Sequence, residues 1–263
     1  MWSAGCRRSN VWIAEIQRSC CADDRFVLCD LKRVQQLPGD DHPFLRLGRY
    51  LAQRKFAAAS IDAPFSIPAR FVTSEGYPAL LAKVSKLEHS GRPFAAGKAL
   101  VELVAQTDVL DPKKPLRATE QEWSARGVNI RSTLWAGPRG GAPMTAACIE
   151  LLHLSGCPLW PWKSAGRGLL IEAFPAGQLK QWGLPSQQYS KNLKEHVENR
   201  EKIVVGLESR MDLERWRETL LATADAIDAA VCALTAAAVT LKRLIKLPDV
   251  NVADREGWIA ISK

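Results

Sequence analysis

Four acidic residues stand where the chain should be rigid: Asp62, Glu172, Asp225 and Asp228. Asp62 closes the small, apolar run Ala57-Ala58-Ala59-Ser60-Ile61 just before Ala63-Pro64. Such a run reads as a strand buried on both faces, and α/β sheets place ligand sites at the carboxyl ends of strands. Glu172 sits in a second run, Gly168-Leu169-Leu170-Ile171-Glu172-Ala173-Phe174-Pro175. Asp225 and Asp228 lie three apart in an alanine-rich segment, which puts both on one helical face. Carboxylates gathered away from water are unfavourable unless a cation neutralises them, and hard oxygen ligands select Mg²⁺ or Mn²⁺. Each acid alone also has a structural alternative. Asp62 can end its strand through a side-chain turn, Glu172 can be a satisfied edge residue, and the aspartates can be the solvated side of their helix. Only the combination points to a metal centre.

Other chemistries are poorly supplied. Seven cysteines, at 6, 20, 21, 29, 148, 157 and 232, contain no C-x-x-C pair and fit neither a disulfide framework nor a zinc site. Four histidines make no H-x-x-x-H or H-E-x-x-H arrangement. The expectation is a chain without disulfide-linked partners. No signal peptide is visible, and the most apolar run, 229–241, is too short to span a bilayer, so a cytoplasmic location and no membrane partner are expected. With 36 Lys and Arg against 28 Asp and Glu, the net charge of +8 favours a polyanionic partner, nucleic acid first. A merely solvated surface is the competing explanation of that charge.

The elements that must position the acids can be read in order. Residues 11–16 and 25–31 are rich in aliphatic and aromatic side chains and separated by polar 20–24, so two adjacent antiparallel strands are expected. Residues 43–56 carry a helical rhythm of apolar side chains. Strands are expected at 57–62 and 168–175, with a mainly helical stretch over 78–122, a Gly/Pro loop at 137–143 and a helix at 145–154. The C-terminal third reads as helix over 190–206 and 212–244, followed by a last short strand at 257–261. That order predicts an α/β fold with a mixed sheet flanked by helices, in a single domain over 1–263 with a helical insertion around 76–155.

Four segments then take on a further meaning. Ser60-Ile61-Asp62-Ala63-Pro64-Phe65-Ser66-Ile67-Pro68, Leu170-Ile171-Glu172-Ala173-Phe174-Pro175-Ala176, Asp225-Ala226-Ile227-Asp228-Ala229-Ala230 and Glu256-Gly257-Trp258-Ile259 resemble, in that order, the motifs of domain-of-unknown-function family 429. The family is regarded as predicted RNase H-like nucleases. The resemblance implies an RNase H-like fold and a two-metal phosphodiester hydrolase, with Asp62, Glu172, Asp225 and Asp228 as catalytic and metal-binding acids and Mg²⁺ or Mn²⁺ as cofactor. In such an enzyme basic side chains hold the nucleic-acid backbone without reading sequence, and Lys114, Arg117, Arg126, Arg131, Lys191 and Arg200 are the candidates. One departure matters. Met1 occupies the position of the family's first-strand Asp, so the first central strand is expected to be truncated and the chain a poor catalyst.

Two other functions compete. A catalytically dead nucleic-acid-binding protein would keep the fold and the basic surface. A phosphotransferase of the sugar-kinase and actin type would share the core fold, but Gly137–Gly141 follows no evident strand and no G-x-x-x-x-G-K-[ST] is present. Metal-dependent cleavage separates the nuclease from the binding protein, and ATP turnover would single out the phosphotransferase.

Overall fold

The computed structural model describes residues 11–19, 25–89, 91–105, 115–136, 141–245 and 249–263. Met1, and with it the question of a first-strand Asp, lies outside the described residues, as do the polar connector at 20–24 and Lys114.

The first two strands form as the sequence suggests. β1 (Trp12–Arg18) and β2 (Phe26–Arg33) pair antiparallel, with a bulge between Glu15 and Ile16. A two-residue strand that the sequence pattern does not announce, β5 (Met211–Asp212), adds in parallel to β2. β3 (Ala58–Ile61) and β4 (Leu169–Glu172) make a separate parallel pair in register Ala58 to Leu169 and Ile61 to Glu172. The single mixed sheet expected from sequence is therefore two small sheets among the described residues, one of three strands and one of two. β4 is buried throughout. β3 is only half-buried along its length, which corrects the expectation of burial on both faces.

The last expected strand is also corrected. Within 257–261 only Ala260 forms a bridge, to Ala173, and the next bridge, Ser262 to Leu244, lies just beyond; there is no ladder among the described residues. Gly257 leaves the short helix α10 (Val250–Glu256) with φ +73°, a turn that directs the terminal residues across β4. There Ala260 N donates to Glu172 O at 2.9 Å.

The helices divide the core. α1 (Pro43–Ala52), α2 (Gly76–Val84) and α3 (Ala96–Ala105) all pack on α5 (Ala142–Ser155), around Phe44, Leu100, Ile149 and Leu152. With α4 (Ala118–Ala125) they make 76–155 helical throughout its described elements. Close approach needs small residues: a Cβ on Gly97 of α3 would lie 2.5 Å from Pro143 N. Residues 175–181 form a helix, α6 (Pro175–Gln181), which starts on proline because the first helical position needs no backbone donor.

The C-terminal helices are more broken than their sequence suggests. α7 (Lys194–Glu208) is followed by β5, then α8 (Arg217–Ala222) and α9 (Ala224–Thr240). The expected continuous helix over 212–244 stops at Thr223, whose extended φ −148° and ψ 131° start α9 afresh. α9 is rich in alanine, and it packs on both β1 and β3, so one helix spans the two sheets. Ile227 and Val231 anchor it, each buried side chain contributing about 1.5–3 kcal/mol.

Candidate carboxylate site

Asp62 follows β3 directly, in a bend whose next residues are tied down on both sides. Phe65 N donates to Glu172 Oε2 at 3.0 Å, and Tyr77 hydroxyl donates to Phe65 O at 2.9 Å. Further along, Ala69 N donates to Glu256 Oε2 at 2.7 Å. The Pro-rich segment 63–68 is thereby held as a fixed platform, and Asp62 stands at its start.

α9 brings two more acids to that point. Asp225 lies in its first turn and Asp228 one turn on, both half-buried. The three aspartates share one electrostatic neighbourhood. Asp62 is solvent-exposed, yet the surrounding protein desolvates its carboxyl and, with Asp225 and Glu172, pushes its pKa up to about 6. Desolvation, then Asp62, push Asp228 up to about 8, although a hydrogen bond from Tyr189 hydroxyl at 2.8 Å works the other way. Asp225 adds its negative charge to both. Ser60, on the same face of β3 as Asp62, has a buried hydroxyl with no hydrogen-bond partner among the described residues.

Glu172 belongs to a different arrangement. Its carboxylate is 2% exposed and is gripped by Arg117, Nη1 lying 2.8 Å from Oε2 and Nη2 closing on Oε1. Arg117 also reaches Glu120 through Nε at 3.1 Å, and Arg117 N donates to Glu120 Oε2 at 2.9 Å. Burial alone would disfavour the guanidinium charge, but Glu172 and Glu120 more than offset it, and the Arg117 pKa stays above its ordinary value. Glu256 completes the surround, accepting from Ala69 N and Ala118 N and placing its backbone carbonyl 3.4 Å from Arg117 Nη1. With both oxygens engaged, Glu172 has no lone-pair direction as open as those of Asp62.

Asp62, Asp225 and Asp228 thus lie near enough to feel one another's charge, and Glu172 sits in a separate ion-pair network that also acts on Asp62. Among the described residues, no group of three or more His, Cys, Asp or Glu is arranged to hold a metal ion.

The expected nucleic-acid contacts sort in the same plain way. Arg117 is 1% exposed and Arg200 3%, so neither can meet a phosphate, and both readings are corrected. Each is buried because it satisfies other groups. Arg200 donates from Nη1 to Tyr189 O and Lys191 O and from Nε to Leu221 O, all at 2.7 Å. Through Tyr189 it braces the hydroxyl that meets Asp228. Arg126, Arg131 and Lys191 are exposed, with Arg126 paired to Glu122 and stacked 4.7 Å over the Trp123 ring.

Tyr189 and Glu120 are missed by the sequence reading, which names Arg200 only as a phosphate contact and Glu256 only as part of a family motif. Glu120 had a local signal, since Arg117 and Glu120 are three apart on one helix start. Tyr189 had none, because it meets Asp228 across 39 residues.

No helix among the described residues is long and apolar enough to cross a membrane, and Cys29, Cys148, Cys157 and Cys232 are free thiols. Cys6, Cys20 and Cys21 lie outside the described residues. No curated protein and no solved structure matches the chain. The family described as "Protein of unknown function (DUF429)" matches residues 21–252, across β2, the β3–β4 pair and the aspartate-bearing α9, and the chain belongs to that family.

Proposed function

We propose that this chain is a metal-dependent phosphodiester hydrolase of the RNase H-like type, acting on nucleic acid with Asp62 and Asp228 at its centre. The observation that carries the reading is the electrostatic coupling of Asp62, Asp225 and Asp228, where desolvation first and the neighbouring acids second raise the pKa of Asp62 to about 6 and of Asp228 to about 8. Carboxylates in that condition are stabilised by a cation. The donor set fits one hard divalent ion better than two. Glu172 is committed to Arg117, while Mg²⁺ commonly binds through one or two carboxylates and completes its shell with water and substrate phosphate. Asp62 and Asp228 would hold Mg²⁺ or Mn²⁺, and Asp225 would add charge beside them.

When bound, the ion would lower the pKa of a water and polarise the scissile phosphate. The chain's own groups would do the rest. Tyr189 holds Asp228 in a single orientation, and the platform from 63 to 68 fixes the backbone that follows Asp62.

Titration calorimetry with Mn²⁺ and Mg²⁺, run beside cleavage of mixed DNA and RNA substrates, tests the proposal. Asp62→Asn and Asp228→Asn should each abolish metal binding and cleavage, and Glu172→Gln should weaken folding before it weakens metal affinity. Wild-type metal affinity in Asp62→Asn would overturn the assignment. The second reading, a catalytically dead nucleic-acid-binding protein, is favoured by the absence of a three-member ligand group among the described residues. Strand binding without cleavage in either metal would select it.

A further inference from the structure

The end of the β3–β4 pair opposite Asp62 carries a second feature. A groove of about 430 Å³ opens there, lined by Lys55, Phe56, Ala57, Gly166, Arg167 and Thr240. Its frame is fixed by backbone bonds. Gly168 N donates to Phe56 O and Ala57 O at 3.0 Å each, and Leu169 N donates to Ala57 O at 3.2 Å. Gly168 has φ +80° and lets the Arg54 stem come close, since a Cβ there would lie 2.7 Å from Arg54 Cγ.

The charge in this groove is uncompensated. Arg167 donates from Nε to Arg54 O at 3.0 Å, which anchors one edge of the guanidinium, and its two terminal nitrogens have no partner among the described residues. The Lys55 ammonium has none either. Thr240 ends α9, and the negative end of that helix would oppose an anion were its carbonyls open. They are largely capped: Ala237 O accepts from Leu241 N, Ala238 O from Arg243 N and Val239 O from Lys242 N. One anchored and one exposed cation at a groove lined by no carboxylate attract an anion, and an anchored guanidinium suits the paired oxygens of a phosphate.

We propose that this groove binds a phosphate group, carried by a nucleic-acid strand or by a small phosphorylated ligand. Arg167 contacts two phosphate oxygens and Lys55 supplies a point charge, with the Phe56 ring beside them as a surface for the attached base or sugar. The site is separate from the aspartates. Five residue steps from Ala57 to Asp62 span about 16 Å, roughly five phosphate spacings along a stacked strand. It stands whether or not the aspartates hold a metal.

The test uses the double variant Lys55→Ala/Arg167→Ala and its charge-conserving counterpart Lys55→Arg/Arg167→Lys. Both are made in an Asp62→Asn background and studied in EDTA, so that failure of the hydrolase reading leaves the result intact. Fluorescence anisotropy follows a short single-stranded DNA, and amide NMR shifts at 166–168 follow inorganic phosphate. Loss of the two charges should weaken DNA binding at least about tenfold and reduce the slope of log K against log salt by about 1.4, two contacts at about 0.7 each. The charge-conserving variant should retain most of the affinity. DNA affinity lost in the double variant assigns a strand as the source. Phosphate-induced shifts that vanish in the double variant, with DNA affinity unchanged, assign a small phosphorylated ligand. Neither a change in DNA affinity nor any phosphate-induced shift at 166–168, with the variants melting as the parent does, would overturn the proposal.

Discussion

Arg117 and Glu172, 55 residues apart, form a two-pronged buried ion pair beneath the segment that follows Asp62, with Nη1 at 2.8 Å from Oε2. The same carboxylate accepts Phe65 N at 3.0 Å. One glutamate thus joins the helical region, through α4, to the β3–β4 pair and to the platform beside Asp62. Its role as seen is to hold that platform in place, and Glu120 and Glu256 stabilise the guanidinium that makes this possible.

Breaking the pair from one side should therefore cost folding stability. Glu172→Gln leaves Arg117 with Glu120 as its one remaining acid, whereas Arg117→Met leaves both Glu172 and Glu120 buried without their cation. The second should be the more damaging, by about 3–5 kcal/mol in urea or thermal unfolding. The double variant should be less destabilised than the sum of the two, because Glu172 is then no longer a buried charge without its cation and only Glu120 remains so. If Glu172→Gln unfolds like wild type but loses divalent metal, Glu172 is a ligand and the structural role assigned to it is wrong.

Stability should fall as pH rises toward 8 in the absence of divalent ions. Asp62 and Asp228 have pKa values raised from 3.8 to about 6 and about 8, so the folded chain binds more protons than the unfolded chain between about pH 4 and 8. Their contribution is fully present below the unfolded value and is lost as pH climbs through the folded one. Melting curves in EDTA from pH 5 to 8 would show a declining Tm, and Asp228→Asn would flatten the upper part. A wild-type Tm that climbs steadily from pH 6 to 8 contradicts the assignment.

Tyr189→Phe removes only the hydroxyl that donates to Asp228 and leaves the ring in place. The expected loss is about 0.5–1.5 kcal/mol of stability. The Asp228 pKa should rise further, since that hydrogen bond favours the carboxylate. Carboxyl ¹³C titration by NMR reads this directly, and an unchanged midpoint would show that the bond is not made in solution.

Gly97→Ala tests the packing of α3 on α5. The new methyl would meet Pro143 N at 2.5 Å and Pro143 Cα at 2.6 Å, backbone atoms at the start of α5 that cannot rotate away. A destabilisation of about 1–3 kcal/mol is expected by chemical denaturation. A variant as stable as wild type would mean that the two helices sit farther apart.

The sequence by itself located the first four strands and the segments that carry the aspartates. Hydrophobic content and punctuation located β1 to β4, because a strand or helix must present apolar residues at its own period whatever it packs against. The spacing of Asp225 and Asp228 placed both on one side of α9, which is local geometry. Local patterns carry no term for distant partners, and there only the tertiary structure decided. Arg117 and Arg200 look like surface cations in sequence, yet each is buried because acids or carbonyls far along the chain satisfy it. Glu172 looked equivalent to Asp62, and what distinguishes them is the neighbour 55 residues away that holds both of its oxygens. Residues 257–261 carried strand composition, but Ala260 alone among them forms a bridge, since a ladder needs a partner edge and composition cannot supply one.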